Sequence, residues 1–180
     1  MDADILIRQE TESDFDRIDD VVRSAFCDVE ESDHTEHQLV QRLRRSAAYI
    51  PGLSLVAVTG GGEVVGHVLL SKVEVGSRDA VHAALAVAPL SVLPAWQGRG
   101  IGSLLMREAH RRAAAMGYGV ALVLGHEGYY PRFGYKRASS FGIKFPFDAP
   151  DECCLAAELL AGGLDGVRGT VRYPEAFCIE

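Results

Sequence analysis

Apolar residues recur along this chain at two spacings, one typical of strands and the other typical of helices. Ile5 to Arg8 and Leu53 to Thr59 are short apolar segments that predict strands, and Glu63 to Val75 predicts a longer one. Gly60-Gly61-Gly62 separates the last two and predicts a hairpin turn. Another turn, Gly76 to Asp79, leads into the next strand. The first half of the chain therefore predicts three antiparallel strands after an opening strand and helices.

Helical spacing of apolar residues appears in three segments. The first follows Thr11, which with the acidic residues after it predicts a helix start. The second is predicted over Glu36 to Ala47, and the third over Ile101 to Met116 with Gly117 as its stop. His110 is predicted on the solvent face of the third helix. The chain therefore opens with a strand and two helices.

A near-continuous apolar run from Ala84 to Leu93 predicts a central strand that is buried on both faces. Pro89 lies within it and cannot donate to a strand ladder, which predicts a bulge or a local separation of strands. A glycine-rich turn, Pro94 to Gly100, joins this strand to the third helix. A strand, a glycine loop and a helix start in that order favour an anion site, because the first amides of a helix have no intrahelical partner.

The glycines of this loop would let an anion approach the backbone. Gly98, Gly100 and Gly102 have no Cβ, and Arg99 could add a positive charge. A plain tight turn is the alternative interpretation. The spacing excludes a dinucleotide-binding fingerprint, because Ser103 stands where its third glycine should be, and the Gly-Lys-Ser/Thr of a P-loop is absent.

Two motifs carry a resemblance to a known family. Gln97-x-x-Gly100-x-Gly102, which follows Leu90-x-Val92-x-Pro94, resembles the acyl-CoA pyrophosphate loop of the GNAT superfamily of N-acetyltransferases. Downstream, Tyr129-Tyr130-Pro131-Arg132-Phe133-Gly134-Tyr135 is similar to the Phe/Tyr-Tyr-x-x-x-Gly-Phe/Tyr segment of that family. The motifs stand in family order, the resemblance covers Ile5 to Phe147, and the tail resembles the YhbS-like branch of uncharacterised acetyltransferases.

The resemblance implies a fold and a domain organisation. It implies an α/β fold with a mixed, splayed, mostly antiparallel sheet of about six to seven strands flanked by helices. One N-acetyltransferase domain would span residues 1–180, with a core over about 5–147 and a C-terminal strand and tail over 148–180. In the family, the sheet opens near the position of Pro89 and the pantetheine arm enters there.

The resemblance also implies the residues of the site. Those that would bind acetyl-CoA, largely through the backbone, are Leu90, Ser91, Val92, Leu93, Gln97, Gly98, Arg99, Gly100, Ile101, Gly102 and Ser103. Tyr130 occupies the position of the tyrosine that protonates the departing thiolate, and a phenol is a suitable acid for that step. Tyr129 is its competitor, and packing is the alternative role of Tyr130. Trp96 is predicted to pack rather than to stack on adenine.

The activity implied by the resemblance is transfer of an acetyl group from acetyl-CoA to a primary amine of a small molecule or peptide. The amine would attack directly in a ternary complex, since no cysteine stands where an acyl-enzyme nucleophile would be expected. A non-catalytic acyl-CoA-binding or sensor module is the alternative. The general base is left unassigned among a water and the residues Glu36, His37, His34, His82, His126 and Glu127.

After the third helix the pattern predicts a set of short elements. Tyr118 to Leu124 predicts a buried strand parallel to the central one, and Tyr129 to Phe133 predicts a short helix. Cys153 to Leu160 is predicted as a late strand. The extended segments and the tail, predicted to pack on the sheet, are Tyr135 to Ala138, Phe141 to Phe147 and Thr170 to Phe177.

Composition narrows the class of protein. The 180 residues are 48% hydrophobic and 24% charged, which is ordinary for a soluble globule. The net charge of −7 argues against nucleic-acid binding, which would need a basic face. No signal peptide, transmembrane segment or metal-ligand spacing is recognised, and Cys27, Cys153, Cys154 and Cys178 are interpreted as reduced thiols of a cytoplasmic protein. The oligomeric state stays open, a homodimer included.

Overall fold

The structure, a computed structural model, describes residues 4–177, so Cys178 lies outside the described residues. The chain divides into two compact units. One comprises Met1–Leu70 and Ala88–Ala109, and the other comprises Ser71–Val87 and His110–Glu180.

The elements are three α-helices, nine strands and several 3-10 turns within the described range. The helices are α1 (Phe15–Phe26), α2 (Glu36–Arg44) and α3 (Ile101–Ala115). The strands are β1 (Ile5–Gln9), β2 (Ser54–Thr59), β3 (Val64–Gly76), β4 (Val81–Val92), β5 (Val120–Leu124), β6 (Lys136–Arg137), β7 (Ile143–Lys144), β8 (Cys154–Glu158) and β9 (Gly169–Arg172). β3, β4 and α3 each contribute residues to both units.

The first unit is an antiparallel meander with two helices. β1 pairs with β2, and β2 pairs with the first half of β3. The two helices bury apolar residues at helical spacing, namely Ile18, Val21 and Val22 on α1 and Val40 and Leu43 on α2. β1 is an outer strand, and its Leu6 is 60% exposed.

The second unit is built around short strands that pair over long sequence distances. β5 pairs antiparallel with β8, and β8 pairs antiparallel with β6. β9 pairs with the end of β3 and, in parallel, with β7. The parallel ladder between β4 and β5 consists of two residue pairs, Leu85 with Ala121 and Ala86 with Leu122, and it stops before Pro89. The core of this unit includes Val75, Leu122, Ile143, Ala156 and Val171.

The C-terminal end of α3 is closed by a glycine motif. Gly117 has a φ of +91°, which only glycine adopts readily. The Gly117 amide donates to the Ala114 carbonyl, and the Tyr118 amide donates to the Ala113 carbonyl at 3.0 Å. This pair of bonds is a Schellman motif, and it turns the chain toward β5.

The predicted fold class is confirmed: the protein has helices and a mostly antiparallel open sheet. The strand count exceeds the predicted six to seven, since β6, β7 and β9 are two to four residues long. α2 ends at Arg44 rather than Ala47, because the next amides bond to carbonyls three residues back. Ala138 and Phe141 were each predicted to end or begin an extended segment, but Ala138–Phe141 forms a 3-10 turn. The organisation as one domain stays a prediction.

Candidate functional site

Near the end of β4, buried residues alternate with half-buried ones. Pro89 and Ser91 are buried, whereas Leu90 and Val92 are half-buried. The Ala88–Pro89 peptide is cis, and Pro89 has no N–H to donate. The Ser91 hydroxyl is buried and has no hydrogen-bond partner among residues 4–177. Leu90 and Val92 are therefore the residues near the end of β4 that are partly exposed to solvent, whereas Pro89 and Ser91 are not.

The loop after β4 is held by its own hydrogen bonds. The Leu93 amide donates to the Val65 carbonyl at 2.9 Å, and the Trp96 amide donates to the Leu93 carbonyl at 2.8 Å. The Gln97 side-chain amide donates to the Val92 carbonyl at 3.0 Å, so this predicted binding residue also ties the loop to β4. The Arg99 guanidinium lies over the Trp96 ring, 4.8 Å from its centroid, which agrees with a packing role for Trp96.

The start of α3 has the geometry of an anion-binding helix end. Gly98 and Gly100 have φ values of +76° and +81°. The Leu104 amide donates to the Gly100 carbonyl at 3.1 Å, so the amides of the three preceding helical residues have no intrahelical acceptor. A Cβ placed on Gly98 or Gly100 would have no neighbour within 4 Å, so that face of the loop is open. This arrangement fits a pyrophosphate.

The first turns of α3 pack closely against β3 at Gly66. A Cβ built on Gly66 of β3 would lie 3.0 Å from the Leu105 side chain, 3.2 Å from that of Ile101 and 3.3 Å from the Ser91 carbonyl. The first turns of α3 therefore pack directly against a strand that lacks a side chain at this position. Sequence reasoning missed this role of Gly66.

Tyr130 lies in the second unit, at the start of a 3-10 turn that follows β5. Its ring is half-buried and lies against the backbone of Gly125, where an added Cβ would be 2.3 Å from Cε2 of the ring. Tyr129 and Tyr135 contact the ring edge-to-face, with centroids 5.1 and 5.7 Å away. Burial, followed by the proximity of Tyr129, raises the pKa of Tyr130, so this phenol keeps its proton at neutral pH.

His110 is part of the same aromatic cluster and does not lie on the solvent face, contrary to the sequence prediction. Its Nε2 is 2.8 Å from the hydroxyl of the buried Tyr135. Burial lowers the pKa of His110 to about 4, so the imidazole is neutral at physiological pH. The spacing of apolar residues in α3 could not predict this burial, because the residue that covers His110 is Tyr135, which is distant in sequence.

A cavity of about 360 Å³ lies at the end of α1 and the start of α2. It is lined by Arg23, Phe26, Cys27, His34, Glu36 and His37. Three of the candidate bases are therefore together here. His82, His126 and Glu127 are not among its lining residues, and the His126 ring accepts a hydrogen bond from the Gly128 amide. Sequence reasoning did not single out Arg23 or Phe26.

A buried polar network lies elsewhere in the first unit. The Arg44 guanidinium donates two bonds of 2.9 Å to the Glu10 carboxylate, and the Tyr49 hydroxyl donates to the same group at 2.6 Å. His67 Nε2 is 3.0 Å from the Ser54 hydroxyl and 3.4 Å from Glu10. Burial would raise the pKa of Glu10, but the bonds from His67 and Arg44 outweigh it and hold that pKa well below its usual range. No motif or spacing in the sequence indicated this network.

Residues 4–177 contain no cluster of three or more histidine, cysteine or acidic residues arranged to hold a metal ion. Among them, no helix is both long enough and apolar enough to cross a bilayer. Cys27 is exposed, Cys153 is half-buried and Cys154 is buried, and none of the three is in a disulfide within residues 4–177.

Comparison with known proteins identifies the family. The profile described as "Acetyltransferase (GNAT) domain" matches residues 6–138, which is most of the chain. The chain belongs to the GNAT acetyltransferase family. The matched range includes the loop at the start of α3 and Tyr130.

Two proteins named as N-acetyltransferases are similar to most of this chain. The "Uncharacterized N-acetyltransferase YhbS" of Escherichia coli K12 is 32% identical over 173 residues, covering 96% of this chain and 98% of the relative. The "Uncharacterized N-acetyltransferase YjhQ" of the same organism is 35% identical over 144 residues, covering 78% of this chain and 75% of that protein.

Two solved GNAT structures resemble this one closely. The crystal structure of YhbS from Escherichia coli in complex with CoA has a TM-score of 0.87 at 30% identity, covering 97% of this chain and 92% of that one. A GNAT family acetyltransferase from Brucella melitensis in complex with acetyl-CoA has a TM-score of 0.79 at 35% identity, covering 98% and 99%. The predicted family, the YhbS-like branch and the enzyme class are confirmed. The predicted cosubstrate, acetyl-CoA, is bound by the Brucella relative, and CoA is bound by YhbS.

Proposed function

We propose that this chain transfers the acetyl group of acetyl-CoA to a primary amine by direct attack in a ternary complex. The observation that carries this proposal is the start of α3, where two glycines with positive φ precede helical amides that have no intrahelical acceptor. Support comes from the CoA and acetyl-CoA complexes of two relatives. Acetyl-CoA would supply the activated thioester.

The amides from Gly98 to Ser103 would bind the pyrophosphate, and the Arg99 guanidinium would add charge. The backbone from Leu90 to Leu93 would hold the pantetheine arm and the acetyl carbonyl, because backbone donors are preorganised and do not titrate. Gln97 would act mainly by holding the loop against β4, as its bond to the Val92 carbonyl suggests.

Tyr130 is proposed as the group that protonates the departing sulfur. Its phenol is protonated at neutral pH, and the contacts of its ring with Gly125 and Tyr135 restrict its orientation. A non-catalytic acyl-CoA-binding module would not need such a fixed phenol, although its anion loop would be the same.

The binding test is Gly100→Val, which places a branched side chain on the anion face. We expect CoA affinity, measured by calorimetry, to fall by at least about tenfold, since one charge-assisted hydrogen bond is worth that much. Gly62→Val is the matched control, because Gly62 has a φ of +90° and equally open surroundings but lies in the β2–β3 hairpin.

Both variants introduce the same backbone strain, so equal thermal stability with loss of affinity in Gly100→Val alone supports the site. Unchanged CoA affinity in a folded Gly100→Val protein would refute it. Release of thiol from acetyl-CoA in the presence of a panel of amines then separates the enzyme from the binding module.

A further inference from the structure

The cavity lined by Arg23, Phe26, Cys27, His34, Glu36 and His37 has the size of a small-molecule site. Its volume of about 360 Å³ lies within the range that ligand pockets occupy in proteins. All six residues belong to the first unit, as does the loop at the start of α3. The cavity can therefore be discussed on the geometry of that unit alone.

His37 makes this cavity more than a surface depression. The residue is only 9% exposed. Its imidazole has no side-chain hydrogen bond or ion pair with any residue in the part of the chain that the structure describes. The ring nitrogens of His37 are not among the fully buried side-chain atoms that lack a partner, so they reach the solvent of the cavity. The imidazole on the cavity wall is therefore available to a polar ligand.

Two opposite charges define what that ligand must carry. Arg23 is exposed at the cavity and forms no ion pair with any residue between 4 and 177. The Glu36 carboxylate accepts a hydrogen bond from the Ser32 hydroxyl, which orients it and leaves acceptor capacity for a second donor. Phe26 adds an apolar surface. The cavity thus offers one cationic, one anionic and one apolar wall.

The loop between α1 and α2 is held in place by its own side chains. The His34 amide donates to the Ser32 hydroxyl at 2.9 Å, and His34 has a φ of +61°, which is uncommon for a residue other than glycine. The Thr35 amide and hydroxyl both donate to the Asp33 carboxylate. These bonds shape the cavity before a ligand arrives, which lowers the entropy lost on binding.

We infer that this cavity takes the acceptor of the acetyl group, and that the acceptor is a small primary amine that also carries an anionic group. Its amino group binds Glu36 and His37, which accept its hydrogen bonds and take the proton that nitrogen loses as it attacks the acetyl carbon, while the C–S bond breaks and the sulfur takes a proton from Tyr130. Its anionic group binds Arg23, and its apolar part contacts Phe26. The inference rests on the proposed acetyl transfer and adds the chemical class of the second substrate. A carboxylate and a phosphoryl group share the chemistry that Arg23 recognises.

Matched acceptors test the class. Alanine, leucine and phenylalanine are each compared with the corresponding aminophosphonate, amino-acid amide and simple amine, with thiol release from acetyl-CoA as the readout. We expect the anionic members of at least one set to exceed the neutral ones by about tenfold or more in kcat/KM. A higher rate with the phosphonate identifies a phosphoryl acceptor, and a higher rate with the amino acid identifies a carboxylate.

Arg23→Gln is the decisive variant. It should remove the preference for anionic acceptors through KM and leave the neutral amines unchanged, and Arg23→Lys should restore part of it. Arg78→Gln, an exposed arginine in the turn before β4, is the matched control. Equal use of neutral and anionic amines, or an equal loss for both in Arg23→Gln, would overturn the inference while the acetyl transfer stands.

Direct binding separates this inference from the proposed function. Calorimetric titration of the CoA-loaded protein with the amino acids and their amides needs no turnover. Binding of an amino acid that Arg23→Gln abolishes supports the cavity even if no thiol is released, and the proposed acetyl transfer then fails alone. Absence of binding by every anionic amine, together with absence of turnover, refutes the inference.

Discussion

The hydroxyl of Tyr130 is the group on which the proposed proton transfer depends. Tyr130→Phe keeps the ring and its contacts with Gly125 and Tyr135 and removes only the hydroxyl. We expect kcat to fall by roughly ten- to ten-thousand-fold, the usual range for a positioned proton donor. The KM for acetyl-CoA should change little, because the proton is donated in the transition state. Steady-state thiol release measures both.

Two comparisons keep this result specific to Tyr130. Tyr129→Phe should be nearly silent, and a larger loss from it than from Tyr130→Phe would reverse the assignment. Gly125→Ala should also lower kcat, since its Cβ would overlap the Tyr130 ring. If that effect acts through the hydroxyl, Gly125→Ala should cause no further loss in a Tyr130→Phe background.

At the scale of elements, the network around Glu10 joins the end of β1 to α2, β2 and β3. Glu10→Gln leaves the Arg44 charge buried without its counterion, so we expect unfolding free energy to fall by about 3–5 kcal/mol in urea titrations. Glu63→Gln is the control, because its ion pair with Arg17 is well exposed and should be worth less than about 1 kcal/mol. Equal effects would show that the buried network contributes no special stability.

The elements that the sequence predicted well are those whose periodicity is local. α3 and the strand before it were found because a long apolar repeat and a glycine loop mark their junction. β6 and β7 lie inside segments that were predicted only as extended, and β9 lies at the start of the predicted tail. Their pairing could not be predicted, since two- to four-residue strands form only where a distant partner such as β8 or β3 supplies hydrogen bonds. α2 ended early because nothing in its composition distinguishes a helix from a following series of turns.

At the scale of the whole molecule, the lowered pKa of His110 makes the free energy of unfolding depend on pH. Burial lowers that pKa from about 6.5 to about 4, so the unfolded chain binds the proton more readily in this interval. The contribution of His110 to stability is therefore complete above pH 6.5 and is lost as the pH falls toward 4. We expect a loss of about 1–3 kcal/mol over that interval in urea unfolding.

His110→Gln should reduce this pH dependence while an amide still bonds to Tyr135. His82→Gln, at the start of β4, is the control and should leave the profile unchanged. If the profile of His110→Gln matches that of the native protein, His110 is not the group responsible.

In the candidate site, too, features set by adjacent residues could be predicted and features set by distant residues could not. The anion loop could be predicted because glycine spacing is a property of adjacent residues. The cavity that contains His37 could not, because its walls come from the end of one helix, a loop closed by side-chain bonds and the start of another helix. Neither hydrophobic period nor composition specifies a loop conformation such as that of His34.

The exposed outer strand β1 also affects how copies of the chain interact at high concentration. Within the described residues its peptide groups are paired on one side only, by β2, and Leu6 projects from it with 60% of its surface in solvent. An unprotected strand edge can add the same segment of another copy. In concentrated solution we therefore expect edge-to-edge pairing between copies of the chain to begin at Ile5–Gln9.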